Sequence, residues 1–198
     1  MEAQSIVAHA IVPENSTVIR NLEVAFEEES KNCWAYKAYA ARADEEGYGG
    51  LASLFRATAR AEQIHASNHA RVLRQMGRSL GIDLPQPVVE GTSANLLSAL
   101  VDQKFEVAYL YPTFLTSAVP LFDSTAIRSF HWALEADKSH VELFQEVMRS
   151  ADFGNGSASS HEPHQFFVCA LCGYAAKNPL SENCPSCSYL WERFETIH

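Results

Sequence analysis

Residues 55–69 of the chain read FRATARAEQIHASNH. The apolar positions recur at steps of three and four, which predicts a helix with one side facing a protein core. Glu62 and His65 lie on that side, and a carboxylate and an imidazole three positions apart can ligate a metal ion together. Because an unpaired buried carboxylate is costly, this pair predicts a cation inside the core.

The same pattern returns 75 positions later in residues 130–140, FHWALEADKSH, which carry Asp137 and His140. A second correspondence, at 74 positions, relates Glu29 to Gln103. Self-similarity of this kind indicates two copies of one helical hairpin. The change from 74 to 75 places one extra residue in the second copy.

The periodic segments predict four helices. The helices are expected at about 17–46, 50–76, 93–118 and 124–150, with the third kinked at Pro112. The segment between the second and third helices lacks helical periodicity and is long enough to cross the length of a bundle once, as in ferritin-like folds. We expect the extra residue of the repeat around 119–123.

Helices 1 and 3 add further carboxylates to the inward sides, Glu29 and Glu106, and Gln103 lies on the same side of helix 3. Di-iron carboxylate bundles take a glutamate from each of two helices and a Glu-x-x-His pair from each of the other two. This donor pattern favours a dinuclear metal site. The alternative is a set of hydrogen-bonded core residues without metal.

Four of the five cysteines form two C-x-x-C pairs near the C-terminus: Cys169 with Cys172, and Cys184 with Cys187. Four thiolates in tetrahedral geometry suit a single iron or a structural zinc. Eleven residues separate the pairs, which is short for a zinc ribbon and favours iron. Zinc and a pair of disulfides remain the alternatives.

The chain therefore divides into three parts. Residues 1–150 form the helical bundle, the Gly/Ser-rich residues 151–164 form a flexible linker, and residues 165–198 form the four-cysteine domain. A domain that small has too little core to fold without a metal or disulfides.

Charge and hydropathy exclude several classes of function. The 24 acidic residues outnumber the 15 basic ones, which argues against a nucleic-acid partner. The chain has no run of 18 apolar residues, which argues against a membrane span, and no basic N-terminal stretch typical of a signal peptide. We expect the protein in the cytoplasm.

These motifs together resemble the rubrerythrin family over roughly residues 16–195. The residues that carry the resemblance are Asn21-Leu22, Ala25-Phe26, Glu29-Ser30, Glu46-Gly47-Tyr48, Thr58-Ala59, Glu62, His65-Ala66, Glu106, Tyr111-Pro112, Phe114, His140, both C-x-x-C pairs, Gly173-Tyr174 and Phe194.

The resemblance implies an all-α, ferritin-like four-helix bundle followed by a small rubredoxin-like β domain held by metal. It also implies a non-haem iron enzyme that reduces hydrogen peroxide to water at a di-iron site. Electrons would come from an external reductase or electron-donor protein through the rubredoxin-like iron. The residues implied as catalytic are Glu29, Glu62, His65, Glu106 and Tyr111; those implied as bundle metal ligands are Glu29, Glu62, His65, Glu106, Asp137 and His140.

The resemblance further implies a homodimer, in which the rubredoxin-like domain of one chain lies near the bundle of the other. The linker is expected to separate the two domains of a single chain. No G-x-G-x-x-G stands between a predicted strand and helix, so the sequence predicts no dinucleotide site.

Two residues depart from the family pattern: Gln103 and Asp137 stand where the family has glutamates. A neutral amide is a poorer ligand for a hard cation, and an aspartate is one methylene shorter. We therefore expect Glu29, Glu62, His65 and Glu106 to surround one metal, and the site nearest His140 to be weaker. Alternatives are an incomplete or empty bundle beside a zinc-stapled domain, and an iron-handling ferroxidase.

Two residues near these motifs, Cys33 and His69, are expected not to bind the metal. Cys33, one turn after Glu29, is expected to be a small buried apolar group. His69, one turn after His65, is expected at a partly exposed surface rather than as a ligand.

Overall fold

A computed structural model of the chain describes residues 16–119, 123–150, 164–178 and 183–198. The predicted four helices are confirmed, with the third interrupted by a π-helical segment. The elements are α1 (Ser16–Glu45), α2 (Gly49–Gln75), α3 (Thr92–Phe105), the π segment (Glu106–Leu110), α4 (Tyr111–Ala118), α5 (Ser124–Ser150), β1 (Phe166–Cys169), β2 (Ala175–Ala176) and β3 (Phe194–Ile197).

Helices α1 and α2 end at the glycines where the sequence predicts them to end. Gly47 has a φ of +80° and Gly77 a φ of +75°, backbone conformations that an L side chain rarely adopts. The next amide in each case reaches back to close the helix: Tyr48 N–H donates to the Ala43 carbonyl at 2.8 Å. This is the C-terminal capping geometry that favours glycine.

The third helix widens into a π turn just before Pro112, where the sequence predicts a kink. Tyr111 N–H donates to the Glu106 carbonyl five residues earlier, so this turn holds one residue more than an α-helical turn. The fully buried Tyr111 and Ala118 lie 75 positions after the fully buried Tyr36 and Ala43. The repeat offset has therefore changed before residue 119, at the π turn. Of the stretch around 119–123, where the sequence predicts the extra residue, residues 120–122 lie outside the described residues.

The connection between α2 and α3 runs alongside α1, as the single crossover predicts. Near its start, Arg78 donates to Glu23 at 2.7 Å. Near its end, Thr92 N–H donates to Glu46 Oε2 at 2.9 Å. These anchors lie near opposite ends of α1, so the hairpins are joined across the length of the bundle.

Two apolar clusters close the bundle above and below a polar middle layer. One cluster centres on Tyr36, Phe55 and Phe144 and also takes in Phe166 and Val168 of β1. The other contains Leu22, Leu73, Tyr111, Phe114 and Phe130. The inward polar residues therefore lie between two dry layers, where water cannot readily solvate them.

The C-terminal domain is a three-stranded antiparallel sheet in the order β2-β1-β3. Of the predicted linker, 151–164, only His164 lies within the described residues, and its N–H donates to Ser53 Oγ at 3.3 Å. Among the described residues, no helix is both long and apolar enough to cross a membrane.

Phe55 is expected to contribute strongly to bundle stability, because its buried ring contacts Tyr39 and Phe144 at centroid distances of 5.5 and 5.9 Å. Phe55→Ala should lower the free energy of unfolding in urea by about 3–5 kcal/mol. The matched control is Phe105→Ala, because Phe105 is 55% exposed, and its effect should stay within about 0.5 kcal/mol. Equal losses for the two variants would contradict this account of the core.

Candidate metal centres

Every inward polar residue predicted from the sequence is buried in the middle layer of the bundle. α1 contributes Glu29, α2 contributes Glu62 and His65, and α5 contributes Asp137 and His140. The third helix contributes Gln103 and, at the start of the π turn, Glu106. All seven are at most 3% exposed.

Glu29, Glu62, His65 and Asp137 converge on one point. One ligand atom from each lies within 4.8 Å of the others, and His65 Nδ1 is 2.9 Å from Glu62 Oε2 and 3.4 Å from Glu29 Oε2. Within the described residues these three atoms and both Asp137 oxygens make no hydrogen bond. Buried polar atoms are almost always satisfied, so this convergence fits a cation.

A second set, around Gln103, is satisfied by hydrogen bonds instead. The Gln103 amide nitrogen donates to Glu62 Oε1 at 3.0 Å and to Glu106 Oε2 at 2.7 Å. Its oxygen accepts from His140 Nδ1 at 3.0 Å, and Asn32 Nδ2 donates to the other Glu106 oxygen at 2.8 Å. One amide thus links the donor groups on the His140 side.

This arrangement differs from the grouping expected from the sequence. Asp137 lies with Glu29, Glu62 and His65, whereas Glu106 lies with Gln103. Asp137 Oδ1 is 3.5 Å from His65 Nδ1 and 3.4 Å from His140 Nδ1, so the shorter side chain still reaches between the two imidazoles. Glu106 lies with Gln103 because the two residues are one helical turn apart, and Asn32 of α1 holds the other Glu106 oxygen.

Burial controls the ionisation of the middle layer. Desolvation raises the pKa of Glu29, Glu106 and Asp137, and the neighbouring carboxylates raise those of the two glutamates further. Burial would raise the pKa of Glu62, but the two imidazoles, with Nδ1 atoms 2.9 and 3.6 Å from its oxygens, outweigh it and hold the Glu62 pKa below its ordinary range. Burial lowers the pKa of His140, but Asp137 and Glu62 outweigh it and raise this pKa to about 9. The layer therefore attracts positive charge.

The four cysteines of the C-terminal domain form a second donor set. Their sulfur atoms lie within 4.8 Å of one another, and all four are free thiols, so the disulfide alternative is wrong for this structure. The residue after each pair is left-handed: Gly173 has a φ of +82° and Ser188 a φ of +59°. Each turn thereby folds two sulfurs to one side, as tetrahedral coordination by four thiolates requires.

The two donor sets are linked through both bundle histidines. His65 Nε2 lies 3.0 Å from the Cys172 carbonyl oxygen, and His140 Nε2 lies 3.1 Å from that of Gly173. Each imidazole thus turns Nδ1 toward the carboxylates and Nε2 toward the cysteine domain. A carbonyl partner of this kind fixes the ring and its tautomer.

The expectation that the linker separates the two domains within one chain is wrong. Asn68 donates to the Leu171 carbonyl at 2.8 Å, and Arg60 makes a bidentate ion pair with Glu195 at 2.6 and 2.7 Å. Phe166 and Val168 complete the bundle's apolar cluster. Complementary polar and apolar contacts therefore dock the domain on its own bundle, and the homodimer stays a prediction.

Sequence reasoning missed two residues that support the carboxylates. Asn32 holds Glu106 and stands 74 positions before it, so the repeat offset could have identified it. His69 is fully buried rather than partly exposed, and its position on the inward side of α2, one turn after His65, was the available signal. Cys33 is buried, as expected.

Comparison with known proteins agrees with this architecture. The family model for rubrerythrin matches residues 20–148. The chain is 31% identical to rubrerythrin-2 of Clostridium acetobutylicum over 188 residues, 89% of this chain and 94% of that one. It is 30% identical to nigerythrin of Nitratidesulfovibrio vulgaris, over 86% of this chain and 82% of that one.

Solved structures extend the likeness to the whole chain. A mixed-valence structure of nigerythrin matches with a TM-score of 0.79 and 28% identity, covering 99% of this chain and 91% of that one. The bacterioferritin of Desulfovibrio desulfuricans matches with a TM-score of 0.69 at 19% identity, covering 76% of this chain and 90% of that one. The second likeness concerns the bundle fold alone. The two donor sets are those of a di-iron carboxylate site and a rubredoxin-like iron site.

Cys172→Ser should remove metal from the four-cysteine set and release the C-terminal domain from the bundle, because the domain has little other core. Limited proteolysis should then cut within residues 166–197, while helical circular dichroism persists. Cys33→Ser is the matched control and should leave this segment resistant. A Cys172→Ser protein whose C-terminal segment resists protease would contradict this role of the metal.

Proposed function

The chain belongs to the rubrerythrin family, and we propose that it reduces hydrogen peroxide to water at the bundle centre with electrons relayed through the four-cysteine centre. The reaction consumes two electrons and two protons for each peroxide and yields two waters. The observation that carries the proposal is the pair of histidines that contacts both donor sets. Neither an isolated storage bundle nor a structural zinc domain would need this connection.

The bundle residues fit the iron pair that the family implies. Among the described residues, Glu29, Glu62, His65 and Asp137 offer five buried ligand atoms without a hydrogen bond. Glu106 and His140 would complete the second position. When bound, the irons would supply the two electrons that break the O–O bond. The carboxylates hold the centre in the low-dielectric middle layer, where charged groups interact strongly.

The four cysteines fit a one-electron iron relay. Such centres are tuned by their exposure and by hydrogen bonds near sulfur. Cys172 supplies one thiolate, and its own carbonyl meets His65. An electron would therefore have a short path through one residue, one hydrogen bond and one imidazole. Because the sequence has no dinucleotide motif, we infer that an external protein reduces the four-cysteine centre.

Gly173 should be essential for this contact, because a Cβ built there would lie 2.4 Å from His65 Nε2 and 3.1 Å from the Ala61 carbonyl oxygen. Gly173→Ala should slow the reoxidation of the reduced four-cysteine iron by peroxide by about 10- to 100-fold, the effect of losing the outer partner of a metal-bound histidine. Stopped-flow absorbance of the ferric tetrathiolate measures this rate.

Gly77→Ala is the matched control. Gly77 has nearly the same φ, +75°, but nothing lies within 4 Å of its added Cβ. It should lose similar stability from the left-handed backbone, about 1–2 kcal/mol, and keep the parent rate. If Gly173→Ala reoxidises as fast as Gly77→Ala, the histidine connection does not carry electrons.

We further propose that the two bundle metal positions are unequal. The Gln103 amide donates to Glu62 and Glu106 and accepts from His140, so a metal on that side must displace three hydrogen bonds. The metal would also find no negative charge on Gln103, because an amide is neutral. The position beside Glu29 and His65 has unsatisfied atoms and should fill first.

Gln103→Glu should raise bundle iron toward two per chain and increase peroxide turnover, since it replaces a hydrogen-bond donor with an anionic ligand. Iron analysis of protein purified without added metal, beside the turnover rate, tests this. Gln75→Glu adds the same charge at an exposed position and should change neither quantity. Two tightly bound bundle irons in the parent, unaffected by Gln103→Glu, would contradict the inequality.

A further inference from the structure

A buried chain of three side chains leads from α5 to Glu29. Ser129 Oγ lies 2.8 Å from His69 Nδ1, and His69 Nε2 lies 3.2 Å from the Tyr111 hydroxyl oxygen. The Tyr111 hydroxyl donates to Glu29 Oε1. His69, Tyr111 and Glu29 are fully buried, and Ser129 is 3% exposed.

Which atom donates each of these hydrogen bonds can be deduced by starting from Glu29. With a cation bound beside it, Glu29 is an ionised carboxylate, which only accepts hydrogen bonds, so the Tyr111 hydrogen is committed to Glu29. The Tyr111 oxygen can then only accept, which requires a hydrogen on His69 Nε2. A neutral imidazole carries one N–H, so Nδ1 accepts from the Ser129 hydroxyl.

His69 is well placed to stay neutral. Burial lowers its pKa to about 3, and the nearby His65 contributes in the same direction. Its ring packs between Tyr111 and Phe130, at centroid distances of 6.0 and 5.6 Å. This packing holds the imidazole in one orientation, so both ring nitrogens stay aimed at their partners.

The hydrogen bonds from Ser129 through His69 and Tyr111 make the two oxygens of Glu29 different. Oε1 accepts from Tyr111, whereas Oε2 has no hydrogen bond within the described residues and faces His65 Nδ1 at 3.4 Å. A carboxylate whose two oxygens are equivalent can rotate or bind in several ways. Here the Tyr111 bond leaves one defined oxygen for the cation.

We propose that His69 is a positioning residue of the bundle metal centre: its Nε2–H, fixed by Ser129, turns the Tyr111 hydroxyl onto Glu29 Oε1 and leaves Oε2 for the metal. The inference rests on the proposed metal centre but not on peroxide chemistry. Zinc is therefore a suitable probe, since it is diamagnetic and inert to redox change.

The first measurement is the tautomer of His69 in the full chain loaded with zinc. Long-range ¹H–¹⁵N spectra should show His69 protonated at Nε2 and unprotonated at Nδ1. Tyr111→Phe should shift the His69 Nε2 resonance, because its acceptor is gone. An Nδ1–H tautomer in the parent would overturn the proposal without reference to any variant.

The second measurement is zinc affinity of the bundle, by calorimetry on protein whose cysteines already hold one zinc. His69→Leu should weaken binding by about 10- to 100-fold, as for outer partners of metal ligands. Tyr111→Phe should cause a similar loss. The double variant should be no weaker than the worse single variant, because His69 acts through Tyr111.

Phe130→Leu is the matched control, because Phe130 packs against the His69 and Tyr111 rings but makes no hydrogen bond to them. It should lower thermal stability and leave zinc affinity unchanged. Parent-like affinity in His69→Leu, or additive losses in the double variant, would overturn the proposal. If zinc binds as expected but the iron protein does not reduce peroxide, the proposed function fails while this inference stands.

Discussion

The structure depends on one constraint: seven polar groups, most of them ionisable, lie in a dry layer between two apolar clusters. Isolated charges there would be prohibitively costly, so each group must meet a partner or a cation. The partners found are a tyrosine for Glu29, an amide for Glu62 and Glu106, and backbone carbonyls for the two imidazoles. The atoms left over converge on one point, which is where a cation would satisfy them.

The two hairpins of the repeat are similar in backbone and unlike in chemistry. The π turn adds one residue to the second hairpin just after Glu106. Gln103 replaces a charge with an amide that both donates and accepts. The two halves of the repeat thereby offer two metal positions of different character, which is the basis of the inequality we propose.

The docked cysteine domain completes the core of the bundle and contacts both metal-site histidines. Phe166 and Val168 fill the apolar cluster beside the middle layer, and Gly173 allows the backbone to approach His65 closely enough for a carbonyl contact. Loss of this domain would expose both Nε2 atoms and one apolar face. A metal bound by the four cysteines would thus be coupled, through the docked domain, to the order of the bundle.

The sequence by itself determined the helices, the glycines that end α1 and α2, the inward carboxylates and histidines, and the four-cysteine set, since spacing alone fixes which side chains share a helix face or a turn. Tertiary structure decided how they combine. Asp137 meets Glu29 because α2 packs against both α1 and α5, and all three helices turn carboxylates into the middle layer. Glu106 meets Gln103 one turn earlier on the same helix, and only the fold adds Asn32 from α1 to this pair. Burial of His69 and docking of the cysteine domain depend on packing between segments distant along the chain. The spacing of residues within one helix does not reveal such packing.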